Sequence, residues 1–525
     1  MLLLALAFPA GAQAHAVLVR TVPSASGTVN QAPATVQLTY SEQVEPRFAS
    51  VSVTNAAGEQ MTAGRPTREG ETLSVALGKL QEGWYLVYWR VISADGHPVR
   101  GAYTFALGPN PGPAPQFVIP SIDETAATPR LVAARWITLL AAMAAIGLFV
   151  LRAFIARESS AKPFAVAAAV ALLAAPVYLV LATAQFSLRS AFDLSDVVPL
   201  LDVSAFGKGF LTLEACLALF VFAAGVAIWL DRPRRTVAGL LALTGALLAA
   251  VATVVVPGTS GHPGTADPRW LAIALDAVHL GAGSIWLGGL IGLVALWRGV
   301  TAPIVARFSS VAIGAVLVLI ATGVGASLIH LPTLASLWET GYGQALLVKI
   351  ALLLVALGLA GVNLRRVRAR RTVGSGNVAG EAVLLTGAVF AAAILTSLAP
   401  PARAVAEIGK PAATVGPGAV NETVQSHGYT VKLGVAPNKA AANNRFAISL
   451  TKDGKPVQGA NVTAGFAMLD MEMGRQAYKL PETSPGSYGR EAPALVMVGR
   501  WGLTLDVEPP GREPFSVTIL DHAGG

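Results

Sequence analysis

Hydrophobic positions fall into two regimes along the chain. Residues 15–108 and 420–525 alternate apolar and polar positions, as in Val36-Gln37-Leu38-Thr39-Tyr40 and Arg445-Phe446-Ala447-Ile448-Ser449-Leu450. Gly, Pro, Asn and Asp punctuate these runs at short intervals, which predicts short strands in two-layer or barrel-like β folds. Lys452-Asp453-Gly454-Lys455 fits a hairpin turn. Between the two regions the alternation disappears. Eight apolar runs, each of ~20 residues or more, are long enough to cross a bilayer as helices. They occupy approximately 132–152, 164–186, 206–230, 237–256, 270–297, 304–329, 343–363 and 380–399. Residues 109–130 and 401–419 read as linkers; the first contains prolines 109, 111, 113, 115 and 120, which suit a semi-rigid spacer.

Charge orients the predicted spans. Alternate loops hold Arg152, Arg157 and Lys162; Arg232, Arg234 and Arg235; Arg298 and Arg307; and Arg365, Arg366, Arg368, Arg370 and Arg371. The other loops and margins hold only Arg189, Lys208 and Arg269, with Arg130, Arg135, Arg403 and Lys410 outside the first and last spans. Positive residues stay cytoplasmic, so both β regions are expected on the outer side of a bacterial inner membrane. Residues 1–14 agree with this: Leu2 to Phe8 is apolar and Ala12-Gln13-Ala14 resembles a cleavage signal, so a signal peptide is expected, with His15 as the first mature residue.

Composition narrows the chemistry. Charged residues make up only 13% of the 525, against about 25% in ordinary soluble domains, and mean hydropathy is +0.58, which excludes a single soluble enzyme. One Cys excludes a disulfide scaffold, a four-Cys zinc site and a Cys-ligated iron–sulfur centre. The formal net charge of +8 is absorbed by the basic loops, so it carries no argument for nucleic acid. There is no P-loop and no phosphorylation sequence of a P-type pump.

The strongest constellation is His15 with Asp95-Gly96-His97. A mature N-terminal His offers its amine and a ring nitrogen, and Asp95 and His97 complete an N,N,N,O set of the kind Cu(II) prefers. The alternative is a hairpin turn at Asp95-Gly96 with a solvated His97. Within the spans, Asp276 and His279 share a helical face at i and i+3. Glu214 and Lys349 fall in the same external half, and His262 and His330 cap neighbouring loops. Buried charges are costly in a bilayer, so these residues are expected to line a path for a metal ion; a Glu214–Lys349 ion pair that only fixes helix packing is the alternative. In the C-terminal region, Met468, Met471 and Met473, with His427, are candidate Cu(I) ligands, since thioethers are soft; core packing is the alternative.

His15-Ala16, Leu38-Thr39-Tyr40-Ser41-Glu42 and Tyr88 through Gly101 together resemble the periplasmic copper-resistance protein C (CopC) family. The resemblance implies a cupredoxin-like β-barrel binding Cu(II) through His15, Asp95 and His97. His279 through Gly289, Arg307-Phe308-Ser309 and Thr340 through Lys349 resemble the copper-resistance protein D (CopD) family. Both in one chain are similar to CopC–CopD fusions of the YcnJ type. The C-terminal region is similar to YtkA-like domains, implying an immunoglobulin-like β-sandwich. The expected protein is non-enzymatic. It captures periplasmic copper and passes it into or across the membrane, with copper ions, the lipid bilayer and other periplasmic copper carriers as partners. The alternatives are membrane-anchored copper sequestration or sensing without transport, and a b-type haem redox protein, which needs two His at matching depth on different helices.

Overall fold

In the computed structural model, residues 1–15, 17, 25–27, 41–42, 93–97, 113–127, 188–189, 191, 204, 232–235, 262, 264–267, 370, 399–404, 406–407, 409, 441, 470–475, 497–498 and 525 lie outside the described residues; the rest of the chain is described. It divides into two compact units, Met1–Asp123 with Pro401–Gly525, and Glu124–Pro400.

The first unit holds both β regions. In the N-terminal one, strands Leu18–Val22, Thr35–Tyr40, Thr72–Leu77 and Thr62–Glu69 form one sheet in that order. Thr28–Val29, Pro98–Leu107, Gly83–Ile92 and Ser50–Asn55 form the other. One core joins them, with Val36, Leu38 and Val75 from the first sheet meeting Val53, Val87, Trp89 and Phe105 from the second. The alternation read from sequence supplies this inner face, because successive side chains of a strand point to opposite sides. Gly83–Ile92 departs from the half-buried pattern. Its other face, with Leu86, Tyr88, Arg90 and Ile92, is buried as well. There the amide of Ala102 donates to the carbonyl of Val496, 3.2 Å away in the C-terminal region, where Ala494, Leu495 and Val496 are buried too.

The C-terminal region is also two sheets around one core. Val420–Ser426, Tyr429–Ala436, Asn444–Lys452, Ser487–Ala492 and Glu482–Ser484 form the first in that order, with Lys455–Pro456 beside Asn444–Lys452. Gln476–Leu480, Asn461–Met468, Gly499–Glu508, Phe515–Ala523 and Ala413–Val415 form the second.

The second unit is helical: α1 (Pro129–Val150), α2 (Lys162–Phe186), α3 (Val197–Val203), α4 (Ala205–Trp229), α5 (Val237–Ser260), α6 (Arg269–Ala295), α7 (Ala302–His330), α8 (Ser336–Glu339), α9 (Gly341–Arg368) and α10 (Ser375–Leu395). Eight of these, all but α3 and α8, are long and apolar enough to cross a membrane. They correspond to the eight runs read from sequence. The largest differences in extent are at the basic loop between α9 and α10. There α9 runs on to Arg368, since cations favour a helix C-terminus, and α10 starts at Ser375 rather than near 380. Two apolar clusters organise the bundle. One joins α1, α2, α4 and α5 around Phe149, Phe164 and Phe220; the other joins α6, α7, α9 and α10 around Trp286, Leu290 and Leu385. α1 and α6 are the most enclosed of the spans. They cross where Gly147 meets Ser284 and Gly288: a Cβ on Gly288 would lie 2.7 Å from the Gly147 Cα. Small residues let membrane helices approach this closely.

At the end carrying the basic loops, Asp231 binds both Arg157 and Arg152, the latter at 3.3 Å. Burial pushes the Asp231 carboxyl up, but the two guanidiniums outweigh it and hold the group below the ordinary carboxylate range.

Candidate functional site

The centre of interest in the helical unit lies in the half of α6 away from the basic loops. Asp276 and His279 stand there one turn apart, as their spacing predicts. Facing them, α7 contributes Thr322 and α9 contributes Lys349. The Thr322 hydroxyl donates to the Val318 carbonyl at 2.7 Å, spending its only proton. Its oxygen therefore accepts from His279 Nδ1–H, 3.0 Å away. That assigns the neutral tautomer with the lone pair on Nε2, and Lys349 Nζ donates to it at 3.4 Å. Gly323, next to Thr322, lies beside the ring; a Cβ there would stand in ordinary contact, 3.5 Å from His279 Cε1. Asp276 is close enough to Lys349 and Tyr342, both on α9, to act on them electrostatically. On its other side, Asp276 lies against Gly258 of α5, where a Cβ would sit 3.2 Å from Oδ2.

The result is one carboxylate, one imidazole with its lone pair aimed inward, and one ammonium placed where that lone pair points. A cation entering here would compete with Lys349 for the same nitrogen and the same negative charge. Among the described residues, no three His, Cys, Asp or Glu converge as a metal-ligating group.

Other expected members of the path are not drawn in. The Glu214–Lys349 ion pair is not formed. Glu214 is on α4, which packs with α5, α2 and α3, whereas Lys349 is on α9 beside α10, α8 and α7. That alternative rests on equal depth, and depth along a helix does not specify which helices are neighbours. Glu214 keeps one carboxylate oxygen buried and without a hydrogen-bond partner. His330 ends α7, eight residues beyond Thr322 and so ~12 Å along the helix. His262 lies outside the described residues.

His15, Asp95 and His97 also lie outside the described residues, but their described flanks come together at one end of the N-terminal β domain. Leu18 pairs with Tyr40, whose ring meets the Trp89 ring edge-on at 5.6 Å. Trp89 lies three residues before Ile92, which pairs with Pro98, the described residues on either side of Asp95 and His97 in sequence. Gly101, opposite Trp89, has no room for a side chain: a Cβ would fall 2.6 Å from the indole.

The C-terminal candidates separate. Met468 is buried in the hydrophobic core of the C-terminal sheets, whereas Met471 and Met473 lie outside the described residues. His427 sits in the turn between Val420–Ser426 and Tyr429–Ala436, exposed, stacked on Phe515 and bonded to the Ser426 hydroxyl. Phe515 pairs with Val507 and Met468 with Trp501. Six residues of strand, ~20 Å, therefore separate the His427 end from the Met468 end.

Sequence reasoning missed a second polar cluster, nearer the basic loops: Glu381 of α10 with Trp286 of α6 and Asn363 of α9. Glu381 fell at the rim of its predicted span, and an amide and an indole carry no charge signal.

Eight apolar helices between two β regions define a multi-pass membrane protein with a β domain on either side of its spans in sequence. Residues 18–108 match the CopC domain, residues 302–399 match copper resistance protein D and residues 423–506 match the YtkA-like domain. The chain belongs to the CopC–CopD copper-resistance family, with a YtkA-like domain in the same polypeptide. It is 28% identical to copper transport protein CutJ of Bacillus subtilis (strain 168) over 96% of each chain. It is 37% identical to protein YobA of Escherichia coli (strain K12), over 18% of this chain and 79% of that one. Among solved structures, CopC from Methylosinus trichosporium OB3b is 31% identical over 19% of this chain and 99% of that one, with a TM-score of 0.18.

Proposed function

We propose that this protein takes up Cu(II) on its N-terminal β domain through the His15 amine and ring, Asp95 and His97, and passes copper through the helical unit by way of Asp276, His279 and Lys349. Both β domains then lie on the outer side of a bacterial inner membrane, since the basic loops favour the cytoplasm. The observation that carries the reading is the arrangement at His279. Thr322 fixes the Nδ1–H tautomer, which leaves Nε2 as a donor atom toward a cation, one turn from a carboxylate and opposite the Lys349 ammonium. Imidazole and carboxylate suit copper, and a lysine that shares the lone pair with the cargo can yield its place and return. The end of the N-terminal sandwich where the flanks of the three Cu(II) candidates meet supports capture there. The haem alternative needs two His at matching depth on different helices, whereas His330 ends α7 eight residues, ~12 Å, beyond the Thr322 that faces His279.

The test is cellular copper content in a strain carrying Asp276→Ala with His279→Ala. Copper should shift toward the level of a strain lacking the protein, while Cu(II) binding by the N-terminal domain of the same variant is unchanged. Copper content equal to wild type would remove the conduit and leave sequestration or sensing as the function.

A further inference from the structure

Glu381 is almost fully buried, six residues into α10, with the buried residues Val378, Ala382 and Leu385 near it on its own helix. Both of its oxygens are occupied by neutral donors. Trp286 Nε1–H donates to Oε1 at 2.8 Å, and Asn363 Nδ2–H donates to Oε2 at 3.0 Å. Asn363 is itself more than nine-tenths buried, and its carbonyl oxygen has no hydrogen-bond partner.

Among the described residues, no cation is paired with this carboxylate. α9, α1 and α6 pack on α10. On α9, Lys349 is bonded to His279 in the other half, and Arg365, Arg366 and Arg368 are exposed at the helix end. On α1, Arg135 binds Tyr178 and Ser397 at the far end of α10, Arg130 is exposed, and Arg152, just past the helix, is held by Asp231. On α6, Asp276 and His279 belong to the other half, Arg269 begins the helix at that far end, and Arg298 lies beyond its last turn. Asn363 thus donates to Glu381 Oε2 while its own buried Oδ1 accepts nothing. A bare buried carboxylate is expensive, and so is a buried carbonyl without a partner.

One added proton relieves both. With the proton on Oε2, Glu381 becomes a neutral carboxylic acid whose O–H donates to Asn363 Oδ1 once the amide turns over. Trp286 still donates to Oε1, now the acid's carbonyl oxygen. A side-chain amide presents a donor on one face and an acceptor on the other, so Asn363 can partner Glu381 in both states. At the basic end, a cavity of about 1210 Å³ is lined by Arg157, Arg298, Arg307, Ile155 and Ser375. Ser375 is the first residue of α10, so Glu381 lies ~9 Å of helical rise beyond it.

We propose that Glu381 is a proton-binding site in the basic-loop half of the bundle, with Asn363 as its reversible partner and the cavity as its connection to bulk water. Used in transport, it would let a proton move against or with the cargo held at His279; that use rests on the copper-passage reading, whereas the site itself does not. The proton comes from water in the cavity and returns there, and no bond other than O–H forms or breaks.

The experiment is infrared difference spectroscopy of the full-length protein in phospholipid vesicles, stepped between mildly alkaline and mildly acidic pH. Wild type should gain a carboxylic-acid carbonyl band on acidification that Glu381→Gln lacks. Gln keeps the shape and the Trp286 bond. Asn363→Leu should retain the band at a shifted frequency, because the acid loses its acceptor. Identical spectra for wild type and Glu381→Gln, or a band indifferent to Asn363→Leu, overturn the proposal. Copper entry into the same vesicles under an imposed pH gradient is read separately. A Glu381-dependent band without copper entry upholds the proton site and removes the conduit; copper entry without such a band does the reverse.

Discussion

Thr322 decides the chemistry of His279 without carrying any charge of its own. By spending its proton on Val318 it makes Nδ1 the donor and Nε2 the free base, and Lys349 then becomes the cation held by that base. Lys349→Met should therefore leave a buried lone pair unpartnered and cost about 1–3 kcal/mol of stability without metal. The same variant should gain more thermal stability from added copper than wild type does, since the competitor is gone; melting in detergent with and without copper reads both effects, and an equal copper shift in the two proteins would mean that Lys349 and the metal do not share a site. Asp276 and His279 were legible in the sequence because a charge and an imidazole one turn apart stand out in an apolar run. Lys349 was legible as a residue but not as a partner. Thr322, Asn363 and Trp286 were not legible at all, since hydroxyls, amides and indoles are common in spans and matter only through what they touch.

The helices place these residues through contacts that small side chains permit. At the α1–α6 crossing a Cβ on Gly288 would meet backbone on the facing helix, 2.7 Å from Gly147 Cα and 2.9 Å from the Ala144 carbonyl, and backbone cannot step aside. Gly281, on the same helix, has nothing within 4 Å of its missing Cβ. Gly288→Val should lower the melting temperature, corresponding to about 1–3 kcal/mol from overpacking, and reduce copper accumulation because α6 carries Asp276 and His279. Gly281→Ala should do neither, and similar losses in both variants would show that the crossing is not the cause. Span number and order were readable from hydropathy alone. Span ends were less so: α10 starts at Ser375 because a first turn tolerates polar residues, and that shift moves Glu381 from the rim into the interior.

At the scale of the molecule, two β domains separated in sequence by eight spans fall within one compact unit, with the Ala102 amide bonded to the Val496 carbonyl. Both faces of Gly83–Ile92 are buried as a result, which its alternating pattern did not announce. The proposed Cu(II) site depends on the Ile92–Pro98 end of the N-terminal β domain and on a free amine at His15. Inserting one Ala before His15 should abolish tight Cu(II) binding by the mature protein while leaving its fold unchanged, measured by titration of the purified protein; undiminished affinity would take the amine out of the ligand set.

Local pattern was sufficient for much of this protein. Alternation and punctuation specify two β domains, and apolar run length with the placement of arginines specifies eight spans and their expected orientation, because both depend on solvent and neighbours within a few residues. The motif around Asp95 and His97 and the charges at Asp276, His279 and Lys349 were visible for the same reason. What tertiary structure decided was partnership. It gave Lys349 to His279 rather than Glu214, placed Met468 in a core, held His427 far from it, and closed Trp286, Asn363 and Glu381 around one another. Helix neighbours and sheet ends are set by packing across long sequence separations, and no residue records in its own type which others it will face.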